Sequence, residues 1–448
     1  MLVETAPRRG RPPQREGIAR SGRLAGLEAY DLAARFGTPA YLYDVDLIER
    51  RYAALRAALP ARVDIAYAVK ANPALAIVDF LGRQGAGADV ASSGELATAL
   101  RAGIDPSRIV MTGPGKRDAE LRDAVTAGVR AVTVESPNEL ARLEALAASR
   151  GAGARPVPVL LRMAVGERAR LERVRLVGDD GAGKFGMDTP DLVASSHRAA
   201  TSPHLRLLGL HAFGASNVLD ADALVAHAHE TVRAARALAA AVGVRLRLVD
   251  LGGGLGIPYE VHEDPLDLQR LGHGLAALID GWADDPSMAE ARLLLEPGRW
   301  LVGPAGAYLS RVVDRKTVGG EHVVILDGGV HHVLRPALVG TDHVIRAFPG
   351  RPDAPLIRAA DRMFPVTVAG PLCSGLDVFV QHAVLAAPEV GDLVAVLDLG
   401  AYGFTESMPF FLSHAIPPEV AIRRGRAELI RPRQEPADWL ERQRVPSW

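Results

Sequence analysis

Residues 63–73 read VDIAYAVKANP. The apolar run from Val63 to Val69 ends in Lys70 instead of a turn residue. A lone lysine in that place is ordinarily a solvated strand end, so its meaning depends on what the strand belongs to. From about residue 60 to 300 short β-branched runs alternate with longer Ala/Leu/Arg stretches of helical period. The runs are RVDIAYAVK, GADVAS, RIVMTG, RAVTVES, VPVLLRM, LRLLGLHAFG, RLRLVDLGGG and ARLLLEPGR, eight in all. In the intervening SPNELARLEALAASRG, Ser136 is placed to cap a helix, Pro137 suits its first turn and Glu139 completes a capping box. Leu140, Leu143 and Leu146 mark its buried face. Eight strand–helix units predict an α/β fold with a closed parallel (β/α)8 barrel, whose chemistry sits at the C-terminal ends of the strands. Lys70 then closes the first strand on the catalytic face.

After about residue 300 the runs AYLSRVVDRKTV, HVVILDGG, FPVTVAGPLC and DLVAVLDLG are strand-like with few helical stretches between them. The expected organisation is a disordered Arg/Pro-rich arm at 1–24, a strand within 25–44 that joins the β domain, the barrel at 45–300 and a C-terminal all-β domain at 301–448. The chain of 448 residues carries 52 Lys and Arg against 53 Asp and Glu, a net charge of −1. That balance gives no field to gather nucleic acid or an anionic membrane surface, and no apolar run reaches membrane-spanning length. A small-molecule substrate and a cytoplasmic location are expected. The single cysteine, Cys373, excludes an internal disulfide and a cysteine-built metal site, and no metal is expected.

The strand ends supply a coherent polar set: Lys70 from the first, His211, Phe213 and Ser216 from the sixth, Gly252, Gly253 and Gly254 from the seventh, Glu296 and Arg299 from the eighth. Glycines at a strand-to-helix turn expose N–H groups to an anion, and a phosphate fits there. Ser216 and Arg299 are further donors if the barrel brings them together. A lysine beside a phosphate site suits either a Schiff base with a sugar phosphate or the holding of pyridoxal phosphate. Glu296 separates the two, because a carboxylate facing the ring keeps a pyridine nitrogen protonated and an aldolase has no such need.

YAVKANP, GADVAS, KFG, DLGGGLG, LLEPGR, GPLCSGLD and GAYGF, in this order, resemble the alanine-racemase-like (fold type III) pyridoxal-phosphate decarboxylases, the group of diaminopimelate and ornithine decarboxylases. The resemblance spans roughly residues 30 to 435. It implies that Lys70 carries the cofactor as an aldimine, that Glu296 pairs with the ring nitrogen, and that Ser216, Gly252 to Gly254 and Arg299 hold the phosphate. Asp89, Arg162 and His211 match polar positions around the cofactor. Glu95 is equally explained by a capping box with Ser92. Tyr402 resembles a phosphate contact supplied by a neighbouring subunit, and Cys373 an acid that also crosses the interface, which implies a homodimer with shared sites. The pKa of Lys70 is expected to be lowered by desolvation and nearby cations, and Cys373 or Lys70 to return a proton to the substrate carbon.

Four departures bear on the substrate. HAFGASN places Phe213 where the family has a histidine stacked on the ring. GPLCSGLD has Ser374 where relatives carry an acid for a distal ammonium, which disfavours a free diamino acid. LRPALVG keeps Arg335 but has Val339 in place of a tyrosine, and FFLSHAIPPEV brings Phe410, Phe411 and Leu412 into a segment that is polar in relatives. Arg299, Arg335, Ser374 and Asp377 are the expected substrate contacts. The expected activity is decarboxylation of a modified amino acid, including one tethered to a carrier protein. The rivals are diaminopimelate decarboxylation, a racemase, for which no second base is placed, and a non-catalytic cofactor-binding homologue.

Overall fold

Alternation along the first barrel strand sends Val63, Ile65 and Tyr67 outward into the layer shared with the helices and Ala66 into the barrel. The computed structural model describes residues 17–20, 23–151, 153–165, 183–260, 263–282, 284–340, 343–348, 363–386 and 388–448. Three two-residue strands, β1 (Ala19–Arg20), β2 (Arg23–Leu24) and β3 (Leu27–Glu28), precede α1 (Ala29–Phe36), β4 (Ala40–Asp44) and α2 (Val45–Ala58). The barrel strands are β5 (Val63–Ala68), β6 (Gly87–Val90), β7 (Ile109–Met111), β8 (Ala131–Val134), β9 (Val157–Arg162), β10 (Leu205–His211), β11 (Leu248–Asp250) and β12 (Arg292–Leu295). They form a closed barrel, sealed where Leu293 of β12 pairs in parallel with Val63 of β5. Helices α3 (Leu75–Gln84), α4 (Ser93–Arg101), α5 (Asp118–Ala127), α6 (Pro137–Ala148), α7 (Thr189–Thr201), α8 (Ala221–Val242) and α9 (Leu268–Asp280) alternate with them.

Local sequence chemistry sets the helix starts. Ser136 Oγ accepts the Glu139 N–H at 3.1 Å to begin α6, with Pro137 in the first turn. Glu139 reaches back to the Glu135 N–H, one residue before the cap, at 2.9 Å. Its other oxygen meets Lys116 Nζ at 2.8 Å. Leu140 and Leu143 are fully buried. Ser92 starts α4 in the same manner, and Glu95 Oε2 accepts the Ala91 N–H at 2.7 Å, so Glu95 serves its helix start.

In β10 the register against β9 shifts between Leu207 and Gly209. Leu208 joins the barrel interior while Leu210, two residues on, packs outward. An unbroken strand would keep those two on one face; the bulge inverts the alternation and turns His211 inward. Gly209 is required there, since a Cβ would strike the Leu248 carbonyl.

Beyond the barrel come α10 (Arg299–Val302), β13 (Gly306–Val318), β14 (Glu321–Leu326), α11 (Arg335–Val339), β15 (Ile345–Phe348), β16 (Met363–Ala369), β17 (Val378–Ala386), β18 (Leu393–Leu397), β19 (Glu419–Arg423) and β20 (Arg426–Arg431). These strands and β4 build a largely antiparallel sheet, with β4 between β13 and β19. The strand expected within 25–44 is therefore confined to Ala40–Asp44, and α1 fills Ala29–Phe36, where Leu32 and Ala33 bury one face. The arm expected at 1–24 is corrected at its end. Ile18 and Leu24 are buried at 1% and 0% exposure in the cluster over β4, and β1 to β3 form a small sheet. Residues 1–16 lie outside the described residues.

Candidate active site

Strand β5 ends at Ala68, and a 3-10 turn, Val69–Ala71, carries Lys70 over the top of the barrel. Lys70 Nζ lies 3.2 Å from Asp89 Oδ2 at the end of β6. The other Asp89 oxygen accepts the Thr112 hydroxyl at 2.7 Å. The Asp89 charge outweighs burial and, with Tyr402 and Glu296, raises the Lys70 pKa above its ordinary value. This reverses the lowered pKa expected from the sequence: the group next to the ammonium is an anion. Removing that anion in Asp89→Asn is expected to move the pH onset of pyridoxal phosphate uptake by the apoprotein downward, because the free amine is the nucleophile. Stopped-flow absorbance across pH measures it, and an unmoved onset would refute Asp89 as the cause.

Of the described lysines at this end of the barrel, Lys116 is occupied. Its Nζ meets Glu139 at 2.8 Å, the Gly113 carbonyl at 2.5 Å and the Thr133 carbonyl at 2.7 Å, which accounts for all three donors.

His211, Asp250 and Glu296 converge from β10, β11 and the end of β12, each offering an atom within 4.8 Å of the others, all buried. His211 Nε2 is 3.6 Å from Glu296 Oε2. Burial pushes Glu296 up, but His211 and Lys70 hold it down at about 2. Burial and then the Glu296 charge drive Asp250 well above the ordinary carboxylate range. The two shifts run in opposite directions, so the pair titrates as a unit in which ionisation is favoured at Glu296 and opposed at Asp250. Glu296 Oε1 is buried with no hydrogen-bond partner among the described residues.

On the same rim, the turn after β11 presents Gly252 and Gly254 at φ of 67° and 99°, a conformation that favours glycine. A Cβ on Gly254 would strike the Ala215 carbonyl. The Val218 N–H donates to the Gly254 carbonyl at 2.8 Å, which lays the Ser216 loop along the glycines. Phe213 packs where a Cβ on Gly252 would reach its ring. Arg299 is buried, donates from Nη1 to the Tyr259 hydroxyl at 2.7 Å and lies 4.6 Å from the centre of the Tyr402 ring. Tyr402 N–H donates to the Ala71 carbonyl at 2.8 Å, beside Lys70. Tyr402 is thus brought to the cluster by its own chain, which corrects the expectation that a neighbouring subunit supplies it: the β domain folds back onto the barrel mouth. Sequence reasoning passed over Asp250, Tyr259, Thr112 and Glu135. The DLGGG run itself carried the signal for Asp250.

Arg162, at the end of β9, forms a buried ion pair with Glu135 at 2.7 Å and lies 4.6 Å from the centre of the Phe185 ring. Arg335 begins α11, buried, 5.2 Å from the Tyr259 ring centre and 6.0 Å from that of Tyr402. Val339 ends the same helix. Cys373 is exposed on the loop between β16 and β17. In that loop the Ser374 hydroxyl accepts the Leu376 N–H at 3.3 Å. Asp377, expected to touch substrate, is 3% exposed and accepts the Val330 and Leu372 N–H groups, each at 2.7 Å. Both oxygens are taken up by backbone, so its work is to pin the loop. Asp377→Ala is expected to destabilise the fold by roughly 2–4 kcal/mol by orphaning two buried N–H groups. Denaturant unfolding measures the loss, and a change under about 0.5 kcal/mol, the range of ordinary surface substitutions, would refute it.

These features fit pyridoxal phosphate: a reachable lysine, a buried ionised carboxylate with an unpartnered oxygen for a ring N–H, and a glycine turn with a buried arginine for phosphate.

Residues 45–303 match the family described as pyridoxal-dependent decarboxylase, pyridoxal binding domain. The chain is 33% identical over 412 residues to an L-glutamyl-[BtrI acyl-carrier protein] decarboxylase of Niallia circulans, covering 91% of this chain and 94% of that one. It is 33% identical over 430 residues to a diaminopimelate decarboxylase of Methanothermobacter thermautotrophicus, covering 95% and 96%. The crystal structure of diaminopimelate decarboxylase from M. jannaschii superposes with a TM-score of 0.84 at 28% identity, covering 95% and 97%. Among the described residues no helix is long and apolar enough to cross a membrane. On this evidence the chain belongs to the pyridoxal-phosphate-dependent decarboxylases of the diaminopimelate and ornithine decarboxylase group.

Proposed function

We propose that this enzyme removes the α-carboxylate of an amino acid whose distal end bears no charge, a glutamyl unit joined to a carrier protein through a thioester being the best match. One observation carries the reading. The GPLCSGLD loop holds no carboxylate free for a distal ammonium: Ser374 occupies the position and Asp377 is committed to backbone N–H groups. The Niallia circulans relative, named for a glutamyl carrier-protein substrate, supports it.

Pyridoxal phosphate supplies the electron sink for the pair left when carbon dioxide departs. Lys70 is the residue to hold its aldehyde carbon, and Gly252, Gly253, Gly254, Ser216, Arg299 and Tyr402 its phosphate. Glu296, whose ionisation is favoured, would hold a proton at the ring nitrogen, and the raised pKa of Asp250 beside it disfavours a second anion in the pocket. Phe213 offers an aromatic face that does not titrate. Asp89 and His211 fix the charge of Lys70 and Glu296, and Arg162 buttresses the wall through Glu135. Return of a proton to the α-carbon falls to Lys70 or to Cys373 carried across a homodimer interface, in a cytoplasmic enzyme.

A second reading, diaminopimelate decarboxylation, is favoured by the buried Arg335, whose guanidinium suits a free distal carboxylate. Mass spectrometry of carbon dioxide loss from meso-diaminopimelate, ornithine, lysine, glutamate and carrier-tethered glutamate separates the two. Turnover of the tethered substrate supports the first reading. Turnover of diaminopimelate alone overturns it.

A further inference from the structure

The guanidinium of Arg335 has 2% of its side chain exposed, yet among the described residues its Nε and Nη1 find no hydrogen-bond acceptor. An arginine has five donors in a fixed fork, and burying one with donors unmet is costly unless an anion completes the site. Among the described residues the carboxylate paired with it is Glu406, whose Oε2 lies 3.5 Å from Nη1. That separation is an ion pair without a good hydrogen bond. Burial raises the Glu406 pKa, with Arg335 and then Arg299 opposing.

Glu406 is held in this place by its own turn. It ends a 3-10 turn, Phe404–Glu406, just beyond Tyr402. The next residue, Ser407, donates its hydroxyl to the Gly403 carbonyl at 2.7 Å and accepts the Leu334 N–H at 3.0 Å. Leu334 directly precedes Arg335, so one serine fastens the turn that carries the acid to the start of the helix that carries the base. The rings of Tyr259 and Tyr402 lie within 6.0 Å of Arg335 and also beside Arg299. The pair therefore shares its two tyrosines with Arg299, and the backbone of Tyr402 is bonded to Ala71, next to Lys70.

We propose that Glu406 is a specificity-determining residue: it supplies from within the chain the carboxylate that Arg335 would otherwise take from a substrate, so the site favours ester, thioester or amide distal ends over free diacids. Substrate carboxylate and Glu406 compete for one guanidinium, and entry of the former leaves the partly buried Glu406 beside a second negative charge. The inference rests on the function proposed above and names the feature that rejects the alternative.

The test uses the cofactor-loaded enzyme and its Glu406→Gln and Glu406→Ala variants. Glutarate, a dicarboxylate without an amine, is titrated by calorimetry, and kcat/KM is measured for meso-diaminopimelate and for a carrier-tethered glutamyl substrate. Glu406→Gln is expected to tighten glutarate at least about tenfold, a shift expected of one opposed charge pair. It should move the kcat/KM ratio toward the diacid by a similar factor, and Arg335→Met added to Glu406→Gln should abolish both gains. Unchanged glutarate affinity in both folded Glu406 variants overturns the inference whatever the substrate. If the wild-type enzyme turns over only free diaminopimelate, the function proposed above fails on its own, and the glutarate titration still decides the competition at Arg335.

Discussion

Lys70→Ala is expected to lower turnover by at least about 10³-fold, the scale of losing a group that acts covalently. Borohydride treatment should no longer fix pyridoxal phosphate to the peptide containing residue 70. Placement and pairing both favour Lys70 over Lys116. Lys70 sits on a turn over the barrel mouth with 44% of its side chain exposed and one ionic partner, whereas the donors of Lys116 are bound to Glu139 and two carbonyls. An ammonium with a single partner can be freed by proton loss. One locked by three cannot leave without unpairing a buried carboxylate. Retention of more than about a tenth of wild-type turnover, with the cofactor reducible onto another lysine, would sink the assignment, since covalent groups contribute far more than that.

Glu296→Gln carries the second large effect. The variant keeps the shape but exchanges the ionised carboxylate for an amide, and kcat is expected to fall about 10²- to 10³-fold, the range for removing one preorganised electrostatic partner. A second readout is independent of turnover. With the neighbouring charge gone, the carboxyl of Asp250 loses one of the causes of its raised pKa, so its carbonyl stretch should vanish at lower pH in difference infrared spectra. A kcat within about twofold of wild type would mean that Glu296 does not act on the reacting group, because a charge facing it is worth far more.

The barrel was legible because its signals are local. Apolar alternation, a capping serine and a proline in the first turn act within a few residues, and β5 to β12 and α6 form where those signals stand. The lysine, the glycine turn and the LLEPGR glutamate were legible because strand ends in such a barrel share one rim. Charge balance at the site was not. The sign of the Lys70 shift depends on Asp89, 19 residues away in sequence and 3.2 Å away in space. The spare carboxylate expected of Asp377 disappears because folding delivers the Val330 N–H, 47 residues distant, to its oxygen.

Local periodicity by itself thus determined the barrel, the order of its strands and the identity of the groups at its mouth, since each depends on neighbours in the chain. Tertiary structure alone decided which of those groups are charged, which are committed to backbone, and that Tyr402 and Glu406 close on Arg299 and Arg335 within one chain. A pKa or a hydrogen-bond partner is set by whatever lies within a few ångströms, and that distance is fixed only when remote segments pack.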